Sequence, residues 1–143
     1  MKTIFYSKKN VADRKWLLVN AENVILGKLS SKISLILQGK NKIWFTPHSD
    51  LGDFVVLINS SKVVLSGKKK YKKIYWHHTG YPGGIKKTTF LDLQNRHPNR
   101  VIQHAVKGML PKSKLGHSMI KKLKIYSDNH HPHAAQKPTP INI

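Results

Sequence analysis

Three features of this sequence predict an α/β domain with helices on both sides of a small sheet. Short apolar runs rich in β-branched residues, such as "FVVLIN" (54–59), read as strands covered on both faces. Other segments carry apolar residues at helical spacing. The two kinds of segment interleave along the chain, which is the pattern of helices packed on a sheet. At 143 residues the chain fits one domain, long enough to bury a real core, and it shows no internal repeat.

"WLLVNA" (16–21) predicts a buried strand. In "NVILGKLSSKISLILQGK", Leu26, Leu29, Ile33, Ile36 and Leu37 predict a helix that Gly39 stops. After the strand at 54–59, "KVVLSG" (62–67) and "KIYWH" (73–77) read as two more strands. Pro98 opens a helix carrying Val101, Ile102, Ala105, Val106 and Met109, with Gly108 and Pro111 marking its end. A last helix is expected over roughly 114–122, and "KLKIY" (122–126) reads as a strand. The end differs in kind. "DNHHPHAAQKPTPINI" has three prolines and no apolar period. Residues 128–143 are therefore expected to form an extended arm, mobile in the free protein, beyond a domain of residues 1–127.

Lys and Arg number 26 against six acids, a net charge of +20. A folded domain this basic repels itself, so a polyanionic partner is expected. Only Arg14, Arg96 and Arg100 are arginines. Lysine is a flexible point charge, so the balance suits following phosphates better than reading base edges. An AT-rich genome would produce the same lysine excess. The absence of cysteine excludes disulfides, thiolate zinc sites and cysteine nucleophiles. "MKTIFYSKKN" lacks the apolar stretch of a signal peptide and is short for a transit peptide. No apolar run approaches the roughly 20 residues of a membrane span, so no membrane partner is expected.

The basic residues cluster. "GKKKYKK" places Lys68, Lys69, Lys70, Lys72 and Lys73 together, where they repel unless anions lie among them. Tyr71, Tyr75, Trp76 and Tyr81 are interleaved nearby, and aromatic faces can stack on unpaired bases. For Trp76 a core position on a strand fits equally. "HHTGYPGGIKK" (77–87) sets His77, His78 and Tyr81 beside Gly80, Pro82, Gly83 and Gly84, followed by Lys86 and Lys87. Glycines let a backbone approach a ligand closely, and proline fixes the shape of that approach. If the last helix continues to 124, Lys114, His117, Lys121 and Lys124 fall within an arc of roughly 80°. Leu115, Met119, Ile120 and Leu123 then lie opposite, and residues 112–127 contain no acid. A phosphate-facing ridge is expected in preference to a solvated face, which would mix signs.

No enzyme site is complete. "SGKK" (66–69) lacks the upstream glycine of a phosphate-binding loop, Lys62 standing in its place, and lacks the following Ser or Thr. Neither a nucleotide nor another small-molecule substrate is expected. His130, His131 and His133 sit in a proline-rich arm with no carboxylate after Asp128, so neither metal nor cofactor is expected. "PHSDLGD" (47–53) has His and Asp but no activated nucleophile. Asp50 and Asp53 are expected to cap turns or pair with lysines.

"FTPHSDLGDFVVLIN" (45–59), "HHTGYPGG" (77–84), "HAVKGMLPKSKLGHSMIKKLKIY" (104–126) and "HPHAAQ" (131–136) resemble the bacterial-type large-subunit ribosomal protein L-thirteen family. The opening "WLLVNAENVILGKLSSKI" fits too, so the resemblance spans about residues 14 to 136. It implies a three-layer α/β/α sandwich around a small, largely parallel or mixed sheet. It implies a non-enzymatic structural constituent of the large ribosomal subunit that binds 23S-type rRNA, stabilises its folding early in ribosome assembly and adjoins neighbouring large-subunit proteins. The expected location is the cytoplasm, in that subunit; an organelle-encoded ribosome fits as well. The rRNA-binding residues it implies are those of the clusters above, with Lys40, Lys42, His48, Lys107, Lys112, His131 and His133. The family commonly carries Arg where this chain has Lys28, His77 and His117, and histidine there removes a permanent charge. A translational repressor that binds messenger RNA would use the same surface, as a second role. An RNA-modifying enzyme would need a cofactor pocket that no motif supplies.

Overall fold

The computed structural model describes residues 14–142; the reading of "MKTIFYSKKN" lies outside them. Strands β1 (Trp16–Asn20) and β2 (Phe54–Ile58) pair in parallel, Trp16 opposite Phe54 through Asn20 opposite Ile58. A parallel pair needs a crossover, and helix α1 (Leu26–Gln38) supplies it. Its buried residues include Leu26, Leu29, Ile33 and Leu37, the stripe that the sequence predicts, and Gly39 ends it at φ 78°. The chain then forms α2 (Lys69–Lys72), β3 (Ile74–His78), β4 (Ile85–Thr89), α3 (Phe90–Arg96), α4 (Pro98–Met109) and α5 (Lys114–Ile120). Strands β5 (Leu123–Ile125) and β6 (Thr139–Ile141) complete a parallel sheet of order β5-β2-β1-β6.

That order decides where everything else lies. From β1 to β2 to β5 the chain steps in one direction across the sheet, so right-handed crossovers put α1 and the later helices on one face. The return from β5 to β6 steps the other way and lays residues 126–138 on the opposite face. The fold is thus α/β, a parallel four-stranded sheet flanked by helices. The chain on the second face includes a 3-10 turn at Ala134–Gln136. On the helical face Val19, Val55, Leu57 and Leu123 pack with the α1 stripe, Phe90, Val101, Ile102, Val106 and Met119.

Several elements differ from the sequence reading. "KVVLSG" is not a strand: Asn59 at φ 58° turns the chain into a 3-10 turn at Ser60–Lys62, and Val64 makes only an isolated bridge to Ile25. "GKKKYKK" contains one turn of helix, α2. Helix α3 was not expected. Thr89 caps it by accepting from the Asp92 N–H, and Phe90 anchors it in the core. Helix α5 ends at Ile120, short of 122 and 124.

Within residues 128–142 the chain returns to the sheet. Strand β6 adds to the edge of β1, and the Thr139 hydroxyl donates to the Trp16 carbonyl at 3.1 Å. An edge position tolerates Pro140, which has no N–H to give. Trp16 stacks on Phe54 at 4.5 Å between ring centroids, and the His133 ring lies 5.1 Å from Trp16. His133 also shares a 2.8 Å hydrogen bond with the Tyr126 hydroxyl. Composition concealed this docking because the partners are supplied by β1 and β2, far earlier in the chain.

Where the strands begin, a buried ammonium joins three segments. Lys122 Nζ donates to the carbonyls of Leu37 and Gly52, each at 3.0 Å, and to the Asp50 carboxylate. Arg14 reaches Asp50 at 3.5 Å, and Lys42 Nζ donates to Asp53 at 2.5 Å. Asp50 and Asp53 therefore pair with lysines, one of the two roles expected of them. Gly52 permits the approach, since a Cβ there would lie 1.8 Å from the Leu37 oxygen. Burial pulls the Lys122 pKa below the ordinary lysine value, and Asp50 offsets only part of that pull.

Removing one partner of such a pair leaves a buried charge uncompensated. Lys122→Ala is expected to lower the unfolding free energy by about 3–5 kcal/mol, measured by urea denaturation. A loss below about 1 kcal/mol would mean that water replaces the ammonium without penalty. Ending the chain after Asn129 removes β6 and His133. The thermal midpoint is expected to fall by about 5 °C or more, each kcal/mol being worth roughly 3 °C at this size. An unchanged midpoint would restore the arm to an independent segment.

Candidate nucleic-acid interface

Among the described residues, Glu22, Asp50, Asp53 and Asp92 are engaged within the fold. Glu22 pairs with Lys62 at 2.6 Å, which holds its carboxyl below the usual range, and Asp92 caps α3. From residue 54 to 127 Asp92 is the sole acid. Apart from Lys62 and Lys122, which pair with Glu22 and Asp50, no lysine of that stretch makes an ion pair among the described residues.

Strands β3 and β4 form an antiparallel hairpin separate from the main sheet, with Trp76 opposite Lys87 and His77 opposite Lys86. Alternation gives the hairpin two faces. Tyr75, His77, Lys86 and Thr88 share the face toward α4, where the Tyr75 ring lies 6.0 Å from His104. Lys73 Nζ stands 5.1 Å from the centre of the Tyr75 ring, and burial pushes the Tyr75 hydroxyl pKa up. Ile74, Trp76, His78, Ile85 and Lys87 share the other face. Trp76 is 65% exposed and Ile85 64%, so Trp76 is not the core residue that a strand position allowed.

The tip is built on glycine. Gly80 and Gly83 take φ of 93° and 70°, a region other residues rarely enter. A Cβ on Gly84 would lie 2.0 Å from the Thr79 hydroxyl. The Gly80 N–H donates to His78 Nδ1 at 2.9 Å, and Tyr81 projects from the turn, 76% exposed. Lys68, Lys69, Lys70, Lys72 and Lys73 lie exposed just before the hairpin.

The junction of α4 and α5 carries a second group. Lys107, Lys112, Lys114, His117 and Lys121 are all exposed there. Ser113 caps α5 by accepting from the Gly116 N–H at 3.3 Å. The Ser113 carbonyl lies 2.8 Å from His117 Nδ1. A carbonyl only accepts, so Nδ1 carries the proton and Nε2 is left for other contacts. Lys124 leaves the expected ridge: the helix has already ended, and Lys124 sits on β5 in register with Val56, facing the second side of the sheet. A cavity of about 380 Å³ opens between the α4 terminus and α5.

The remaining expected contacts divide. Lys40 and His48 are exposed on the loop that Asp50 ties to Lys122, beside the α5 end. Lys42 is on the same loop but is turned inward to Asp53 and the Leu51 carbonyl, so its ammonium is already satisfied. His131 and His133 lie on the second face near Lys124. Burial, then the charges of His131 and Lys124, lower the His133 pKa. The free protein thus favours neutral His133, against the protonation that phosphates would promote. His104 escaped the sequence reading, although its spacing from Lys107 puts both on one side of a helix. Among the described residues no group of His, Asp and Glu could hold a metal, and no helix is long and apolar enough to cross a membrane.

A family model described as "Ribosomal protein L13" matches residues 14–132. A protein of Symbiobacterium thermophilum named "Large ribosomal subunit protein uL13" is 51% identical over 142 residues, 99% of each chain. Proteins of the same name from Agathobacter rectalis and Buchnera aphidicola are 52% and 51% identical over the full length of both chains.

The lowered His133 pKa has a signed consequence. The unfolded chain binds the proton more readily, so the docked segment is most stable above the ordinary histidine value near 6.5. It loses stability as pH falls from there through the lower folded pKa. Amide exchange of Thr139 and Ile141 is expected to be faster relative to the core at pH 5 than at pH 7.5. His133→Phe should remove the difference, and an unchanged ratio in the native chain would deny His133 this role.

Proposed function

The chain belongs to the ribosomal protein L13 family, and on that premise we propose that this structural constituent of the large ribosomal subunit, not an enzyme, binds 23S-type rRNA directly through the β3–β4 hairpin and the α4–α5 junction. The observation that carries the reading is the hairpin. An isolated two-stranded hairpin is marginal in water, and exposed apolar side chains in a group mark a contact surface. Here Trp76, Tyr81 and Ile85 stand exposed among lysines, with no acid nearer in sequence than Asp92. Aromatic faces beside ammonium groups suit irregular RNA, whose unpaired bases stack while its phosphates are neutralised.

The division of labour follows from chemistry. Lys68 to Lys73, Lys86, Lys87, Lys107, Lys112, Lys114 and Lys121 displace counterions from phosphates. Trp76 and Tyr81 stack, and the glycines of the tip let the backbone come within reach of the RNA. Lys40 and His48 extend the same surface along the strand-entry edge. Lys124, His131 and His133 occupy a different face and serve a separate contact with RNA or a neighbouring subunit protein. A protein that needs its RNA to quench this much charge joins the rRNA early in assembly. Repression of translation through messenger RNA would draw on the same groups.

If about eight lysines neutralise phosphates, log affinity for the rRNA should fall against log salt with a slope near −6 to −7. Lys86→Ala with Lys87→Ala should make the slope shallower by about 1 to 2. Trp76→Ala and Tyr81→Ala should each weaken binding by about 1–3 kcal/mol with the slope unchanged. A slope shallower than about −2 in filter binding would remove the electrostatic mechanism. Equal affinity for an unrelated messenger leader would favour the regulatory role over the ribosomal one.

A further inference from the structure

The cavity between α4 and α5 is built from two kinds of residue. Leu110, Pro111, Gly116 and Ile120 supply apolar lining, while His104, Lys107, Lys112 and His117 are basic and exposed around it. No acid lines it. Its volume of about 380 Å³ lies in the range of small-ligand sites.

Gly108 keeps it open. This residue is within α4, where glycine is a poor helix former, and its φ is not in the left-handed region. A Cβ placed there would meet nothing within 4 Å, so packing does not demand glycine either. The contrast is Gly116, where a Cβ would lie 1.9 Å from the Pro111 oxygen and close approach of the chain requires glycine. At Gly108 the missing side chain leaves space in the cavity and does nothing else that the packing explains.

From the apolar lining, the basic rim and the open space at Gly108, we infer that the cavity receives one unstacked nucleobase of the rRNA, with the phosphates on either side of it held by Lys107 and Lys112. This rests on the proposed rRNA-binding reading and adds to it a specific pocket. Apolar walls fit a base face of any identity, and an all-basic rim selects for an occupant that carries anions on both sides. Nucleotides within a strand meet both conditions. His104 links the rim to Tyr75 of the hairpin, so one RNA strand can follow the hairpin and deliver a base to the cavity.

The test uses the full chain and a 23S-type rRNA transcript. Gly108→Leu fills the space, and Gly108→Ala fills little of it. Gly108→Leu is expected to weaken rRNA binding about tenfold with an unchanged salt slope, and Gly108→Ala, which fills less of the space, to weaken it by a smaller factor. Base-specific chemical probing should show a nucleotide protected in the native complex and reactive again with Gly108→Leu. Native affinity and native reactivities for a folded Gly108→Leu would overturn the proposal. So would loss of a neighbouring protein from reconstituted subunits with rRNA affinity intact, which would assign the cavity to a protein side chain. If Gly108→Leu does not fold, ultraviolet cross-linking of the native complex decides: a cross-link from residues 104–121 to one nucleotide supports the pocket, and none there overturns it. Failure of the native chain to bind the rRNA at all would instead sink the rRNA-binding reading, and the same titration reports it.

Discussion

The Lys122 ammonium is the contact on which the arrangement depends. It sits just before β5, and its acceptors are the end of α1, the Gly52 carbonyl just before β2, and Asp50. Those segments are separated by as many as 85 residues, yet they must meet at one edge if the strands are to enter the sheet in register. Desolvation makes this a weak source of net stability, since a well-packed apolar group in its place would cost less to bury. What the pair supplies is position. An unpaired Asp50 or two unsatisfied carbonyls penalise any arrangement in which β5 or the 39–53 loop sits elsewhere.

The same pairing shapes the electrostatics. Asp50, Asp53 and Glu22 are neutralised by Lys122, Lys42 and Lys62, and Asp92 is held at a helix cap. Among the described residues, the lysines that remain make no ion pair. Folding thus separates two populations of a chemically uniform residue: lysines that hold the chain together and lysines that face outward. The outward population follows the hairpin and the α4–α5 junction, which Tyr75 and His104 bring side by side. Exposed aromatics on the hairpin turn that charge distribution into a surface suited to folded RNA.

How much of this could be read from the sequence depended on the range of the interactions involved. The α1 stripe and the β-branched run of β2 are local periodicities, and both elements appear where the residues place them. Helix α3 has only seven residues, too few to display a period, although Thr89 and Asp92 at capping spacing were a usable signal. Strand β6 was illegible because its partner lies 123 residues earlier and Pro140, with Pro132 and Pro138 before it, mimics an unstructured tail. Lys122 and Lys42 look like their neighbours in a list of lysines; only the fold brings Asp50 and Asp53 to them. The hairpin cluster was legible as charge and glycine, but the exposure of Trp76 depended on which way the hairpin turned. The cavity needed both helices in place.

The division of lysines into structural and outward-facing groups, the latter proposed to meet rRNA, can be measured directly by acetylation footprinting of the free and rRNA-bound protein, read by mass spectrometry. The account expects Lys86, Lys87, Lys107, Lys112 and Lys114 to react in the free protein and to be shielded by rRNA. Lys122 and Lys42 should react poorly in both states. Lys62, paired with Glu22 where the strands end, should react equally with and without RNA. Shielding of Lys62 with continued reactivity of the hairpin and junction lysines would contradict the account.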